Sequence, residues 1–202
     1  MSQFILITGA CRSGKSRYAV ERAKDSSEQV LYIATCQAQD AEMRQRVAKH
    51  RKERPLEWET LENRWDLDQV LKEKQRRYGC FLVDCVTMWV SYFLMRGESD
   101  AEILEKADRF TAAIETISSV GADPRACPDQ GQPQGVAPTV IAVTNEVGWG
   151  VVPESESGRR FRDLAGMVNQ KLAQAADEVI LMVAGIPMSV GARHASSFLP
   201  SQ

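Results

Sequence analysis

Eight residues near the start of the chain have the spacing of a phosphate-binding loop. The pattern G-x-x-x-x-G-K-S/T is satisfied at every fixed position by Gly9-Ala10-Cys11-Arg12-Ser13-Gly14-Lys15-Ser16. The run follows a short apolar stretch and opens one of helical period, so backbone N–H groups and a helix N-terminus can face phosphate oxygens. Lys15 is then expected to reach the terminal phosphates, and the Ser16 hydroxyl to bind Mg²⁺. The sequence therefore predicts a nucleoside triphosphate site.

An acidic residue that could share this metal ion closes a second apolar run. Asp84 ends the stretch Phe81-Leu82-Val83-Asp84, where a strand of a buried sheet is expected. An aspartate at this place can hold the metal through water, or it can cap the helix that follows. The phosphate loop favours the first interpretation, so Ser16 and Asp84 are the predicted metal ligands.

The motifs alone leave the reaction open. The guanine-recognition tetrad N-K-x-D of regulatory GTPases is absent from the sequence, and its nearest candidate, Asn145-Glu146-Val147-Gly148, does not fit. A regulatory GTPase is therefore disfavoured. A small-molecule kinase, a recombinase-like ATPase and a nucleotidyltransferase remain possible at this point.

Short β-rich runs alternate along the chain with longer segments of helical period. Apolar runs without strict alternation are typical of strands covered on both faces. The pattern predicts an α/β fold like that of P-loop NTPases, with a mostly parallel β-sheet, helices on both faces and the nucleotide at the C-terminal edge of the strands. The predicted strands are Phe4–Thr8, Val30–Thr35, Phe81–Asp84, Val140–Thr144 and Val179–Val183. The predicted helices are Lys15–Lys24, Asp40–Arg51, Arg64–Arg77, Val86–Met95, Asp100–Ser119 and Gly158–Ala176.

Composition excludes several classes of protein. The 25 Lys and Arg residues against 27 Asp and Glu give a net charge of −2, which leaves no positive excess for nucleic acid. The sequence has no apolar run long enough for a membrane span, and its start lacks a signal-peptide pattern. The 5 cysteines are scattered without a CxxC pair, which favours reduced thiols. We expect a soluble, cytoplasmic protein.

The length of 202 residues favours one domain, a P-loop nucleotide-binding catalytic domain over residues 1–190. Residues 121–138 hold 4 of the 8 prolines together with 3 glycines and 3 glutamines. We expect this segment to be an exposed, flexible insertion. Residues 191–202, with His194, are expected to form a disordered tail.

The second histidine, His50, shares a helical stripe with apolar residues. Met43, Val47 and His50 are spaced i, i+4 and i+7, so the imidazole is expected to face inward. From this spacing alone, a structural core histidine is favoured over a catalytic one.

Longer stretches change that interpretation, because they follow one another in the order of a known family. Together with the phosphate loop, they resemble the bifunctional adenosylcobinamide kinase / adenosylcobinamide-phosphate guanylyltransferase family of cobalamin biosynthesis. The resemblance extends from about Ile5 to Pro187. It is carried by Leu31-Tyr32-Ile33-Ala34-Thr35, Asp40, Glu42-Met43, Arg46, His50, Arg54-Pro55, Trp58, Glu62, the run from Thr144 to Glu154, Arg160-Phe161-Arg162-Asp163-Leu164-Ala165-Gly166, Asn169-Gln170, Ala176-Asp177-Glu178-Val179 and Gly185-Ile186-Pro187.

The resemblance implies two reactions at one nucleotide site. ATP or GTP phosphorylates the aminopropanol hydroxyl of adenosylcobinamide, and GTP then guanylylates His50, from which GMP passes to the first product to give adenosylcobinamide-GDP. It also implies a homotrimer. Lys15 joins His50 as a catalytic residue. The nucleotide contacts fall on Gly9, Ala10, Cys11, Arg12, Ser13, Gly14, Lys15, Ser16, Ala34, Thr35, Cys36, Arg51, Lys52, Glu53, Arg54, Glu62 and Asp84.

The chain departs from the family pattern at a few places. Ala10 stands where the family usually has a second glycine, and Tyr92 stands where an asparagine often follows the Trp-x-x sequence. The main alternative is a small-molecule P-loop kinase that lacks the guanylyl-transfer step. A non-catalytic or recombinase-like ATP-binding assembly protein is a second alternative, disfavoured by the balanced charge.

Overall fold

The computed structural model of the chain describes residues 3–37, 41, 45, 47, 48, 51, 54–120 and 137–191. Strands and helices alternate along much of the chain, as the sequence predicts, apart from the consecutive helices at 86–95 and 100–120 and the consecutive strands at 178–183 and 186–191. The strands are β1 (Phe4–Gly9), β2 (Val30–Ala34), β3 (Glu59–Glu62), β4 (Cys80–Asp84), β5 (Thr139–Val143), β6 (Glu178–Val183) and β7 (Ile186–Gly191). The helices are α1 (Lys15–Ser26), α2 (Leu67–Lys74), α3 (Val86–Met95), α4 (Asp100–Val120) and α5 (Glu156–Ala175), with a 3₁₀ turn at Val147–Trp149.

The described strands form a sheet of seven in the order β3-β2-β4-β5-β1-β6-β7. The first six in this order are parallel to their neighbours, and only β7 runs antiparallel, against β6. The predicted mostly parallel α/β sheet is confirmed. Since parallel strands end at the same edge, the residues after β1, β2, β3, β4 and β5 share one side of the molecule.

Successive residues of β1 point to opposite faces of the sheet. Phe4 and Leu6 join the larger core, which α2, α3, α4 and α5 cover. Ile5 and Ile7 join the smaller core on the other face, under α1. All four side chains are buried. The central strands therefore read as continuous apolar runs because each face meets a helical layer.

Two strands were not predicted from the sequence. Strand β3 has the sequence Glu-Thr-Leu-Glu and is only half-buried, because it lies at one edge of the sheet. Strand β7 forms the opposite edge, after a hairpin turn in which Ala184 and Gly185 both have positive φ. An edge strand pairs with another strand on one side only and is more exposed, so its sequence shows a weaker apolar pattern.

The remaining boundaries differ by a few residues. Helix α2 is shorter than the predicted Arg64–Arg77. Of the predicted helix Asp40–Arg51, Ala41, Gln45, Val47, Ala48 and Arg51 are helical, and its other positions lie outside the described residues. Residues 121–136 of the predicted insertion and 192–202 of the predicted tail also lie outside them. Ala137 and Pro138, predicted to be exposed, are buried beside β5. In the part of the chain described, no helix is long and apolar enough to cross a bilayer.

Candidate active site

The phosphate loop leaves β1 at Gly9 and enters α1 at Lys15, as predicted. Its turn requires positive φ at Gly9 (144°), Arg12 (58°) and Gly14 (92°). The backbone N–H of Ser13 donates to Ala10 at 3.3 Å, and that of Tyr18 to Gly14 at 3.0 Å. The loop is thus a tight wrap at the N-terminus of a helix, a geometry that suits phosphate.

Lys15 folds back over this loop. Its ammonium donates to the carbonyl oxygen of Gly9 at 3.0 Å and to that of Ala10 at 2.6 Å. Its side chain is buried, with only 6% of the residue exposed. A buried ammonium held by carbonyl oxygens keeps its charge directed at the centre of the loop, where a triphosphate would provide stronger acceptors.

The hairpin between β6 and β7 packs against one side of the phosphate loop. A side-chain carbon at Gly9 would stand 2.5 Å from the carbonyl oxygen of Met182. The backbone N–H of Gly185 donates to the carbonyl of Ser13 at 3.0 Å. The close approach of β6 therefore requires glycine at position 9, quite apart from any ligand.

Asp84 lies at the C-terminal end of β4, on the same edge of the sheet. Tyr32, from the neighbouring strand β2, donates its hydroxyl to Asp84 Oδ2 at 2.6 Å. Burial, and next the Asp84 carboxylate, raises the pKa of Tyr32 well above its ordinary value, so the phenol remains a donor. Sequence reasoning did not assign Tyr32 a role, since a tyrosine inside an apolar strand reads as core.

Ala34, Thr35 and Cys36 follow β2 beside Asp84. Thr35 is buried and donates its hydroxyl to the carbonyl of Cys85 at 2.6 Å, while its backbone N–H donates to the carbonyl of Asp84 at 3.2 Å. Burial, and next the charge of Asp84, raises the pKa of the Cys85 thiol to about 12, while the charge of Lys15 lowers it. The structure therefore brings the predicted segments around Lys15, Thr35 and Asp84 together.

Glu62 ends β3, beside β2, and is held by two arginines. Arg51 donates to it through Nε at 2.8 Å and Nη2 at 2.5 Å, and Arg54 Nη1 lies 3.8 Å from Oε1. The Arg54 guanidinium also lies 3.9 Å from the centre of the Tyr32 ring. Glu62 and the two arginines line a cavity of about 400 Å³ together with Trp58. Arg51, Arg54 and Glu62, which the family resemblance implies as nucleotide contacts, therefore lie together in the structure.

A polar network fixes the end of β5 beside the phosphate loop. Glu146 accepts from the Thr8 hydroxyl at 2.5 Å and from Asn169 Nδ2 at 3.4 Å, and its backbone N–H donates to Gly9 at 3.1 Å. Asn169 also accepts from the Thr144 hydroxyl at 2.7 Å. No role for Asn169 was predicted from the sequence, because a helix position alone does not show which strand end it meets.

Three of the predicted site residues, His50, Lys52 and Glu53, lie outside the described residues. Among the residues the structure does describe, no three His, Cys, Asp or Glu side chains are grouped as a metal centre. Their four cysteines, Cys11, Cys36, Cys80 and Cys85, form no disulfide bond with one another.

Comparison with known protein families identifies the family of this chain. Residues 5–121 and 130–190 match the model of the family described as cobinamide kinase / cobinamide phosphate guanyltransferase. The chain belongs to this family. The match confirms the resemblance carried by the motifs, and it includes every residue assigned to the site.

Curated relatives agree with the cobinamide kinase / guanyltransferase family. The chain is 43% identical over 188 residues to the bifunctional adenosylcobalamin biosynthesis protein CobU of Escherichia coli, covering 92% of this chain and 98% of the relative. Identity to the CobU of Salmonella typhimurium is 42% over the same shares. The protein CobP of Pseudomonas aeruginosa, also called bifunctional, is 38% identical over 91% of this chain and 94% of its own length.

Solved structures share the fold of this family member at low sequence identity. An ATPase of a type III secretion system superposes with a TM-score of 0.55 at 14% identity, covering 98% of this chain and 59% of that one. An ATP synthase subunit from Nanoarchaeum equitans gives a TM-score of 0.51 at 10% identity, covering 98% of this chain and 52% of that one. Both comparisons confirm a P-loop NTPase-like fold.

Proposed function

We propose that this chain phosphorylates the aminopropanol hydroxyl of adenosylcobinamide with ATP or GTP, then transfers GMP from GTP to the product. The observation that carries the proposal is an intact phosphate loop in a chain that matches the cobinamide kinase / guanyltransferase family along most of its length. The product of the two steps is adenosylcobinamide-GDP. The catalytic domain is proposed to span residues 1–190.

In the first reaction, the hydroxyl oxygen of the substrate attacks the γ-phosphorus. A new P–O bond forms, the bond from the γ-phosphorus to the bridging oxygen breaks, the nucleoside diphosphate leaves, and the hydroxyl proton passes to solvent or to a carboxylate. Lys15, already directed at the centre of the loop, stabilises negative charge on the terminal phosphates as the bridging bond breaks.

Ser16 and Asp84 would hold Mg²⁺ for both reactions. One hydroxyl and one carboxylate are a small donor set, which suits an ion that keeps several waters and binds mainly substrate phosphates. The Tyr32 hydroxyl occupies Asp84 Oδ2 and fixes the orientation of the carboxylate. When bound, Mg²⁺ supplies neutralisation of phosphate charge.

In the second reaction, we assign the nucleophile to His50. A neutral imidazole nitrogen, with an ordinary pKa of about 6.5, attacks the α-phosphorus of GTP. A P–N bond forms, the bond to the bridging oxygen breaks and pyrophosphate leaves. A phosphate oxygen of the first product then attacks the same phosphorus. A P–O bond forms, the P–N bond breaks and the histidine leaves as a neutral imidazole once it has lost its extra proton to solvent.

Recognition of guanine is assigned to Glu62. Its carboxylate can accept from the guanine N1–H and amino group, a pattern that adenine does not offer. In the free chain Arg51 and Arg54 hold this carboxylate. Arg51 is then free to turn toward phosphate oxygens when guanine takes its place, whereas Arg54, nearly buried against Tyr32, keeps its position. Lys52 and Glu53 complete the proposed contacts.

The chain is proposed to act as a cytoplasmic homotrimer. Strand β7 ends the sheet with three exposed apolar side chains, Ile186, Met188 and Val190. Exposed apolar residues on an edge strand favour burial against another subunit. The described cysteines form no disulfide bond with one another, which supports a reducing compartment.

Labelling with GTP tests the proposal. The wild-type chain, incubated with α-labelled GTP and denatured, should retain label that acid removes, as expected for a phosphoramidate. His50→Ala should carry none and lose guanylyl transfer, while it keeps most of the ATP-dependent phosphorylation of adenosylcobinamide. Equal losses of both reactions in His50→Ala would make the residue structural. A wild-type chain that phosphorylates but never takes up label would be the kinase of the alternative hypothesis.

A further inference from the structure

A second cavity, larger than the one at Glu62, opens between α2, α3 and α4. Its volume is about 590 Å³, within the range of small-molecule sites. Its floor is aromatic: the rings of Trp65 and Tyr92 stack with centres 3.8 Å apart and planes within 2°, and Phe93 stands edge-on to Tyr92 at 5.1 Å. None of the residues predicted to bind nucleotide lines it.

The walls of this cavity leave the same edge of the sheet as the nucleotide site. Trp65 follows the end of β3 at Glu62 by three residues, and α3 begins two residues after Asp84. The indole of Trp89 ties the two walls together, because it donates to the carbonyl of Trp65 at 2.7 Å. A ligand on the aromatic floor is therefore a neighbour of the metal-binding edge.

The rim of the cavity carries hydrogen-bond donors and acceptors, and both positively and negatively charged side chains are among them. Asp68 and Gln69 stand on the α2 side, and Arg96 stands on the α3 side with its guanidinium 5.4 Å from the Tyr92 ring. No carboxylate in the described part of the chain lies within ion-pair distance of Arg96. Asp68 pairs with Lys72 at 3.7 Å. The lining also holds Asp66, Lys106 and Arg109, so it offers both donors and acceptors, which neutral carboxamides use together.

We infer that this cavity holds the corrin ring of the substrate, with its apolar face on the Trp65–Tyr92 stack and its peripheral carboxamides on the rim. The inference rests on the proposed function, in which the substrate is a cobinamide. A broad apolar macrocycle bearing neutral amides matches the floor and the rim. Because the hydroxyl to be phosphorylated ends a flexible arm, the ring can stay in the cavity while the arm reaches the sheet edge.

Two variants and a matched control test the inference. Tyr92→Leu removes half of the stack, and Arg96→Ala removes a rim donor from an exposed side chain. Arg76→Ala, an exposed arginine that does not line the cavity, is the control. We expect each cavity variant to raise the KM for adenosylcobinamide, and its Kd by calorimetry without nucleotide, about fivefold or more. Formation of the GTP adduct, which needs no cobinamide, should stay at the wild-type level.

Different results would overturn the corrin-binding cavity and the proposed function. If Tyr92→Leu and Arg96→Ala keep the wild-type KM and Kd for adenosylcobinamide, the ring binds elsewhere. If both lose adduct formation as much as cobinamide affinity, the cavity is not a separate subsite, and the inference is also overturned. A wild-type chain that neither phosphorylates cobinamide nor takes up GMP contradicts the proposed function before any variant is made.

Discussion

The hydroxyl of Tyr32 donates to Oδ2 of Asp84 at 2.6 Å, across the neighbouring strands β2 and β4. The described residues give the Asp84 carboxylate no other hydrogen bond. Arg54 stacks on the face of the same tyrosine ring and reaches toward Glu62. Tyr32 thus contacts Asp84, a proposed metal ligand, through its hydroxyl, and Arg54, which lies beside Glu62, through its ring. The two contacts can be tested separately.

Tyr32→Phe removes only the hydroxyl and keeps the ring under Arg54. Since hydrogen bonds to charged groups contribute about 1.5–3 kcal/mol, we expect Asp84 to be less well oriented and both reactions to need about tenfold more Mg²⁺. The measurement is the Mg²⁺ dependence of kcat for each reaction. Tyr78→Phe is the matched control, because Tyr78 is also buried but donates to Glu59, at the start of β3. Equal Mg²⁺ dependence in the two variants would contradict a role for Tyr32 at Asp84.

Lys15→Ala removes the ammonium that lies over the phosphate loop. Loss of a charge that stabilises the breaking bridging bond is expected to lower both reactions about 10²-fold or more. Lys24→Ala, at the far end of the same helix and exposed, should leave both rates unchanged. Rates are measured with saturating cobinamide and varied nucleotide. A Lys15→Ala chain that loses only one reaction would show that the two reactions do not share this loop.

Glu62→Gln tests guanine recognition. The amide cannot accept from both guanine donors, and it loses its ion pairs with Arg51 and Arg54. We expect GTP-dependent adduct formation to fall about tenfold or more, while phosphorylation with ATP stays within a factor of two. Glu57→Gln, an exposed glutamate on the preceding turn, is the control. A parallel loss of the ATP-dependent reaction would mean that Glu62 supports the fold of the edge rather than the base.

The central strands could be predicted from the sequence because their residues are buried on both faces, so that propensity and burial agree. The same is true of the phosphate loop, whose glycines satisfy both the ligand geometry and the close approach of β6 to Gly9. Strands β3 and β7 could not be predicted, since Glu59–Glu62 reads as polar and β7 depends on pairing with β6.

The site shows the same division. Lys15, Ser16 and Asp84 are fixed by local motifs, and parallel strands bring their segments to one edge. The contact between Tyr32 and Asp84 spans 52 positions of sequence and depends on β2 and β4 being neighbours, which no local pattern specifies. For the same reason, Thr8 and Asn169 meet at Glu146 only after β1, β5 and α5 have packed.

Gly9→Ala should destabilise the fold as well as the site. A methyl group there meets the carbonyl of Met182 at 2.5 Å, in a backbone conformation with φ of 144° that side chains rarely adopt. We expect a loss of at least about 2 kcal/mol in the free energy of unfolding, measured in urea. Gly166→Ala in α5 is the opposite case, because nothing lies within 4 Å of the added carbon. The free energy of unfolding of Gly166→Ala should rise by about 0.5–1 kcal/mol, since alanine has a higher helix propensity than glycine. Similar values for the two variants would contradict the close approach of β6.

The last prediction concerns the buried thiol of Cys80 and depends on pH. Burial raises the pKa of Cys80 to about 12. At pH 8 its thiolate fraction is about 10⁻⁴, so iodoacetamide should modify exposed Cys11 long before Cys80. Because the unfolded thiol ionises near pH 8.5, the stability contributed by the protonated thiol is complete below that value and falls as the pH rises toward about 12.

Peptide mapping by mass spectrometry follows each thiol in the native chain and in urea. In urea, where the thiols are solvated, Cys80 should react as fast as Cys11 at pH 8. In the native chain its rate should rise about tenfold per pH unit between pH 8 and 10, because each unit raises the thiolate fraction tenfold. Rapid alkylation of Cys80 in the native chain at pH 8 would contradict its burial in the core beneath α1.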